Sequence, residues 1–193
     1  MATYKESIGT AVTNVAGDPP APLEGQVWYN STAGAFKVYR QDAAGAWATG
    51  GNLNSGRYYL SAGGTQTAGL AFGGISPYIL TESYNGSSWT ELNDLNTRKR
   101  EAAGCGASNT ACLSFGGKNA SDNGQNETET WNGSNWTEVN NLTTARFGLA
   151  GCGTTTAALA FGGRPSPSPG SNKDTETELW NGSNWTEVND LNT

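Results

Sequence analysis

Apolar and polar residues alternate along most of this chain, and glycine or asparagine breaks the alternation at short intervals. Runs such as Thr128-Glu129-Thr130-Trp131 and Thr175-Glu176-Thr177-Glu178-Leu179-Trp180 put successive side chains on opposite sides, the pattern of a half-buried strand. Other runs, rich in Gly, Ala, Ser and Cys, lead into a short apolar stretch closed by Gly-Gly, as in Leu113-Ser114-Phe115-Gly116-Gly117. No window carries a helical period. An all-β protein of short strands follows.

The pattern repeats. Residues 151–193 run GCGTTTAALAFGG, a 16-residue loop, then WNGSNWTEVNDLNT. Earlier copies hold Gly104-Cys105-Gly106 with Phe115-Gly116-Gly117, and Ala62-Gly63-Gly64 with Phe72-Gly73-Gly74. Each copy continues into an aromatic pair with four residues between its members: Tyr84 and Trp89, Trp131 and Trp136, Trp180 and Trp185. Such a unit cannot bury its own apolar face and must stack on its copies.

Each unit predicts four strands. The first two are glycine-rich, and glycine at this density marks close backbone approach. The third and fourth flank Asn85-Gly86, Asn132-Gly133 and Asn181-Gly182, where a tight turn needs positive φ. A basic residue opens each unit: Arg57, Lys99 and Arg146. Complete units span 57–98, 99–145 and 146–193, and a half unit, 36–56, supplies third and fourth strands around Phe36 and Trp47. Residues 1–35 form an N-terminal region: a strand over 10–15, a proline-rich linker through Pro19, Pro20 and Pro22, and a hairpin about residues 30–34.

Composition narrows the chemistry. A formal charge of -6 argues against nucleic-acid binding, and no run approaches the roughly 20 apolar residues of a membrane span. The N-terminus lacks an apolar export core. The chain has no histidine, which removes histidine-dependent acid, base and triad chemistry and the commonest nitrogen ligand of zinc. No metal site and no cofactor are expected. Cys105 and Cys152 align with Gly63, and Cys112 aligns with Gly69 and Ala158, so all three read as small residues at tight core positions.

The order of features, apolar-Gly-Gly, loop, aromatic, four residues, Trp, then Ala145-Arg146, resembles the kelch repeat over residues 36–193. Asn-Gly departs from the Asp-Pro frequent there. The resemblance implies kelch-like β-propeller blades, three complete and one half, in a ring that this chain leaves incomplete. Completion then falls to further chain or to associated copies, a homo-oligomer. The stretch from Pro22 through Trp28-Tyr29-Asn30-Ser31-Thr32 is similar to the start of tail-fibre-like virion proteins of tailed bacteriophages. That similarity implies a virion location, with the N-terminal region docked on other virion structural proteins.

Loop length points to a binding face. Between Gly-Gly and the next aromatic lie 9, 13 and 16 residues, while the aromatic pair keeps constant spacing. Length variation thus gathers at one end of the strands, and binding residues concentrate on loops held by a rigid scaffold. Within the loops 75–83, 118–130 and 164–179, the candidate ligand-binding residues are Tyr78, Asn119, Asp122, Arg164, Lys173 and Asp174. Tyr, Asn and Asp suit a host-surface glycan or protein. The expectation is a non-enzymatic attachment module. A cellular kelch-type interaction adaptor and a glycan-cleaving enzyme stay as alternatives, the latter resting on Glu91, Glu138 and Glu187. Those glutamates otherwise read as solvated edge charges or as partners of Arg57, Lys99 and Arg146. The nine Asn-x-Ser/Thr sequons fall mostly inside the repeated turn and strand and read as structural.

Overall fold

The computed structural model describes residues 13–21, 26–38, 49–75, 77–166 and 174–192. Among them there is no helix, so the protein is all-β as its alternation requires. Contacts divide the chain after Ala48 into two units.

The N-terminal unit holds β1 (Thr13–Val15), β2 (Val27–Asn30) and β3 (Ala35–Val38). β2 and β3 form the expected hairpin, turned at Gly34 with φ +64°, and β1 runs parallel to β2. Trp28 is its buried anchor. The indole N–H of Trp28 and the amide of Asn30 both donate to Asp18 Oδ1, at 3.1 and 2.8 Å, holding that carboxyl below its ordinary range. Phe36 to Val38, also assigned to a half unit, pair with β2; Trp47 and the rest of 39–48 lie outside the described residues.

Among its described residues the second unit contains three four-stranded antiparallel sheets. The first joins β4 (Ser61–Thr65), β5 (Ala68–Phe72), β6 (Thr81–Tyr84) and β7 (Trp89–Glu91). The next joins β8 (Ala103–Ser108), β9 (Ala111–Phe115), β10 (Thr128–Trp131) and β11 (Trp136–Val139). After a short β12 (Arg146–Phe147) come β13 (Ala150–Gly153) and β14 (Ala158–Phe161). A short β15 (Arg164–Pro165) pairs with β12, and β16 (Thr177–Trp180) with β17 (Trp185–Val188) completes the third sheet. First strands lie side by side, β4 against β8 and β8 against β13.

Glycine sets that closeness. A Cβ at Gly104 would stand 2.6 Å from the Phe72 ring, and one at Gly151 2.4 Å from Phe115. Each Gly-Gly pair bends sharply with both residues at positive φ, and the second amide donates to the base opening the next unit: Gly74 to Lys99 O, Gly117 to Arg146 O, both at 2.9 Å. A Cβ at Gly73 would come within 2.7 Å of that same Lys99 carbonyl.

Tryptophan joins sheet to sheet. Trp136 lies with its ring centroid 4.9 Å from that of Phe72 and donates its indole N–H to Thr81 Oγ1 at 2.9 Å. Trp185 repeats this on Phe115 and Thr128, at 4.9 and 3.0 Å. Burying about 200 Å² of indole stabilises by roughly 5 kcal/mol at most, so these residues dominate the junctions.

The aligned bases are buried, but their partners are not the glutamates weighed from sequence. Arg57 pairs with Glu82, Lys99 with Glu129 at 3.4 Å, and Arg146 with Glu178 at 2.8 Å. Glu91, Glu138 and Glu187 are exposed on the fourth strands, the solvated option. Third-strand glutamates point between sheets, where one carboxylate also receives the linker amides: Asn54 and Ser55 at Glu82, Asn96 and Thr97 at Glu129, Thr143 at Glu178. Burial raises the Glu82 pKa, but the Arg57 bond, the two amides and the Arg57 charge outweigh it and hold it below its ordinary value. Burial presses the Lys99 ammonium down, against the pull of Glu129.

Cys105 and Cys112 are buried as expected, and burial, then a neighbouring thiol, pushes each pKa to about 12. Cys152 departs from that expectation. It is exposed, because its side of β13 carries no adjoining sheet among the described residues.

Candidate functional site

The long connections and the segments opening each unit meet at one end of the sheets. Tyr58 bridges Ile75, Arg100 bridges Lys118, and β12 pairs with β15, so each opening segment is laced to the residue just after Gly-Gly. Two residues after each paired base the backbone turns left-handed: Tyr59 at φ +58°, Glu101 at +52° and Gly148 at +62°. Only the last is glycine. At Tyr59 and Glu101 the conformation costs about 1–3 kcal/mol each. Bonds between units offset part of it, Glu101 N–H to Tyr59 O at 3.1 Å and Gly148 N–H to Glu101 O at 2.8 Å.

These three residues line an open cavity of about 600 Å³, with Lys118, Phe147, Gly163, Arg164 and Asp174 around them. That volume is of ligand size. Lys118 is committed to the walls: its Nζ stands 3.4 Å from Glu101, 4.0 Å from Asp122 and 3.9 Å from the Phe147 ring centre. Asp174 has one oxygen on the Glu176 amide at 2.9 Å. Its other oxygen is buried without a hydrogen bond, 3.8 Å from Arg146. Tyr58 and Tyr59 are exposed with ring centres 5.1 Å apart. The cavity therefore offers an exposed guanidinium at Arg164 and an aromatic plate, with the buried Asp174 oxygen set behind its wall.

The six residues read from the loops do not converge. Arg164 and Asp174 line the cavity. Tyr78 borders a separate cleft of about 220 Å³ with Pro77, Ile79 and Arg98. Asn119 shapes its own loop, accepting the amides of Ser121 and Asn123 at 2.9 and 3.1 Å. Asp122 is paired with Arg100. Lys173 lies outside the described residues. Sequence reasoning missed Tyr59, Glu101, Lys118 and Phe147, which sit in the linkers and just after Gly-Gly rather than at loop tips. Gly148 was the available signal, a glycine in one copy aligned with Tyr and Glu in the others. Among the described residues no three metal-ligating side chains come together. No family model matches this sequence, and no curated protein matches it.

Proposed function

We propose that the three sheets are kelch-like blades of a β-propeller, and that the protein is a non-enzymatic attachment module on a bacteriophage virion appendage. Its N-terminal region engages other virion proteins, and its loop-rich end engages a host-surface glycan. The observation that carries this reading is the cavity in which Tyr59, Glu101 and Gly148 turn left-handed beside the unsatisfied oxygen of Asp174. Strain kept in a scaffold otherwise so regular is what a binding role accounts for. A pyranose stacks its C–H face on Tyr59 and accepts hydrogen bonds from the exposed Arg164 guanidinium. Single sites of this kind are weak, and many copies on one particle raise avidity.

The test is binding of the fluorescently labelled chain to a panel of bacterial strains by flow cytometry, before and after periodate oxidation of surface sugars. Binding that periodate abolishes, and that Tyr59→Ala with Arg164→Ala abolishes, is the predicted result. Binding removed by surface proteolysis instead identifies a protein receptor. No binding to any strain, or binding indifferent to both substitutions, rejects the reading.

A further inference from the structure

Two sheet junctions in this protein are built alike, and the third sheet presents the receiving half of another. At the first junction Phe72 and Thr81 receive Gly104 and Trp136; at the second Phe115 and Thr128 receive Gly151 and Trp185. The equivalent residues of the third sheet are Phe161 and Thr177. Phe72 and Phe115 are buried, whereas Phe161 is half-buried. Thr177 Oγ1 is buried without a partner, although Thr81 and Thr128 each accept an indole N–H. Leu179 and Val188, on the same side, are 42% and 38% exposed.

The complementary half stands on the first sheet. Trp89 aligns with Trp136 and Trp185 but is only half-buried, and its indole N–H rests on the Gly51 carbonyl at 3.1 Å in an exposed contact. Ala62, exposed, takes the place of Gly104 and Gly151. We infer that the third sheet is a docking surface for the first sheet of a second copy of this chain, with Trp89 of that copy over Phe161 and its N–H on Thr177 Oγ1. The inference rests on the blade reading above and is independent of the attachment role.

The fit repeats the observed junctions with one substitution. In the internal junctions the segment after the fourth strand is gripped by the next sheet's glutamate, as Asn96 and Thr97 are by Glu129. Asn54 and Ser55 already hold that position on Glu82, so they replace residues 189–192 of the first copy, which swing aside. The chain of linker bonds also continues, Tyr59 N–H of the second copy meeting Gly148 O. The tightest point is Ala62, since a Cβ at the equivalent Gly104 would approach the phenylalanine ring to 2.6 Å. Contacts of this head-to-tail kind close into rings when the rotation allows, and two copies bring six sheets, within the usual range of about four to eight blades.

Sedimentation of the full chain over a concentration series tests this. Wild type is expected to form a dimer, and Leu179→Glu on the receiving face or Ala62→Arg on the inserting face, both at exposed positions, to leave monomers. An equimolar mixture of the two variants keeps one intact junction and regains dimer. Ala62→Gly removes one crowded methyl at each of the two junctions and tightens association about a hundredfold, at about tenfold per junction. A wild-type monomer throughout the series overturns the inference, as does a dimer indifferent to both charged variants or a mixture that stays monomeric. Strain binding retained by the monomeric variants leaves the attachment role standing while this inference is judged separately.

Discussion

Glu129 is the best place to measure how strongly the linkers are fastened. Its carboxylate receives the amides of Asn96 and Thr97 at 2.8 and 3.1 Å and faces Lys99 Nζ at 3.4 Å, all in a buried setting. Glu129→Gln keeps the shape but turns an N–H₂ toward groups that themselves donate, and strips the buried ammonium of its counter-charge. Removing one member of a buried pair costs about 3–5 kcal/mol. Lys99→Met removes less. Two amides still satisfy Glu129, and the cation's other bond, to Glu127 O at 3.0 Å, is a single one, so the expected cost is about 1–3 kcal/mol. The double variant carries no unpaired ammonium and should recover about 1 kcal/mol relative to Glu129→Gln. Urea unfolding followed by tryptophan emission reads all three, with the slope checked for unchanged cooperativity. A Lys99→Met cost equal to or above that of Glu129→Gln, or a Glu129→Gln cost below about 1 kcal/mol, refutes the hub role of the carboxylate.

Three further outcomes follow from other contacts. Gly104→Ala drives a methyl into the Phe72 ring and the Ala62 carbonyl and should lose about 1–3 kcal/mol in urea midpoint measurements, whereas Gly56→Ala, with nothing within 4 Å, should stay within about 0.5 kcal/mol. Iodoacetamide at mildly alkaline pH should alkylate Cys152 alone in folded Leu179→Glu, because Cys105 and Cys112 are buried with pKa near 12; mass spectrometry showing either of them modified speaks against that core. Glu82 has a folded pKa below its unfolded value, so its contribution is present above the ordinary carboxylate range and fades as pH falls through the depressed value. The stability gap between wild type and Glu82→Gln should therefore narrow in acid, and a gap that stays constant on acidification contradicts the pairing.

The repeated sheets were legible because their signals are local. Asn-Gly fixes the turn: Asn85, Asn132 and Asn181 each accept two following amides at 2.9 Å, and each glycine takes positive φ. Gly-Gly and the tryptophan pair mark strand ends in the same way. Partnership between strands is not local. Thr-Glu-x-aromatic in the third strand and Trp-Thr-Glu in the fourth both repeat, and nothing along the chain says which glutamate points between sheets and which into solvent. The register sets Glu82 and Glu91 directly opposite on one face, and strand position separates them: Glu82 lies on an inner strand and is buried, Glu91 on the edge strand and is exposed.

The cavity was half legible for a related reason. Loop-length variation pointed to the end of the sheets where the cavity lies, and Arg164 and Asp174, two of the residues named from it, line that cavity. Its floor, however, is made where opening segments of successive units converge, by residues whose importance comes from backbone turns at Tyr59 and Glu101. Left-handed geometry at a non-glycine residue leaves no mark in composition. Cys152 shows the converse, since alignment with Cys105 predicts burial, but burial depends on whether a neighbouring sheet is present.

The packing of sheet on sheet by a tryptophan-to-threonine bond is tested most directly by a double-mutant cycle of Trp185→Phe and Thr128→Val, which removes the donor, the acceptor and both from a buried bond of 3.0 Å. A coupling energy of about 1 kcal/mol, with each single variant destabilised, is the predicted result. Additivity within about 0.3 kcal/mol would mean that these two side chains do not meet, and that the sheets are not joined in this way.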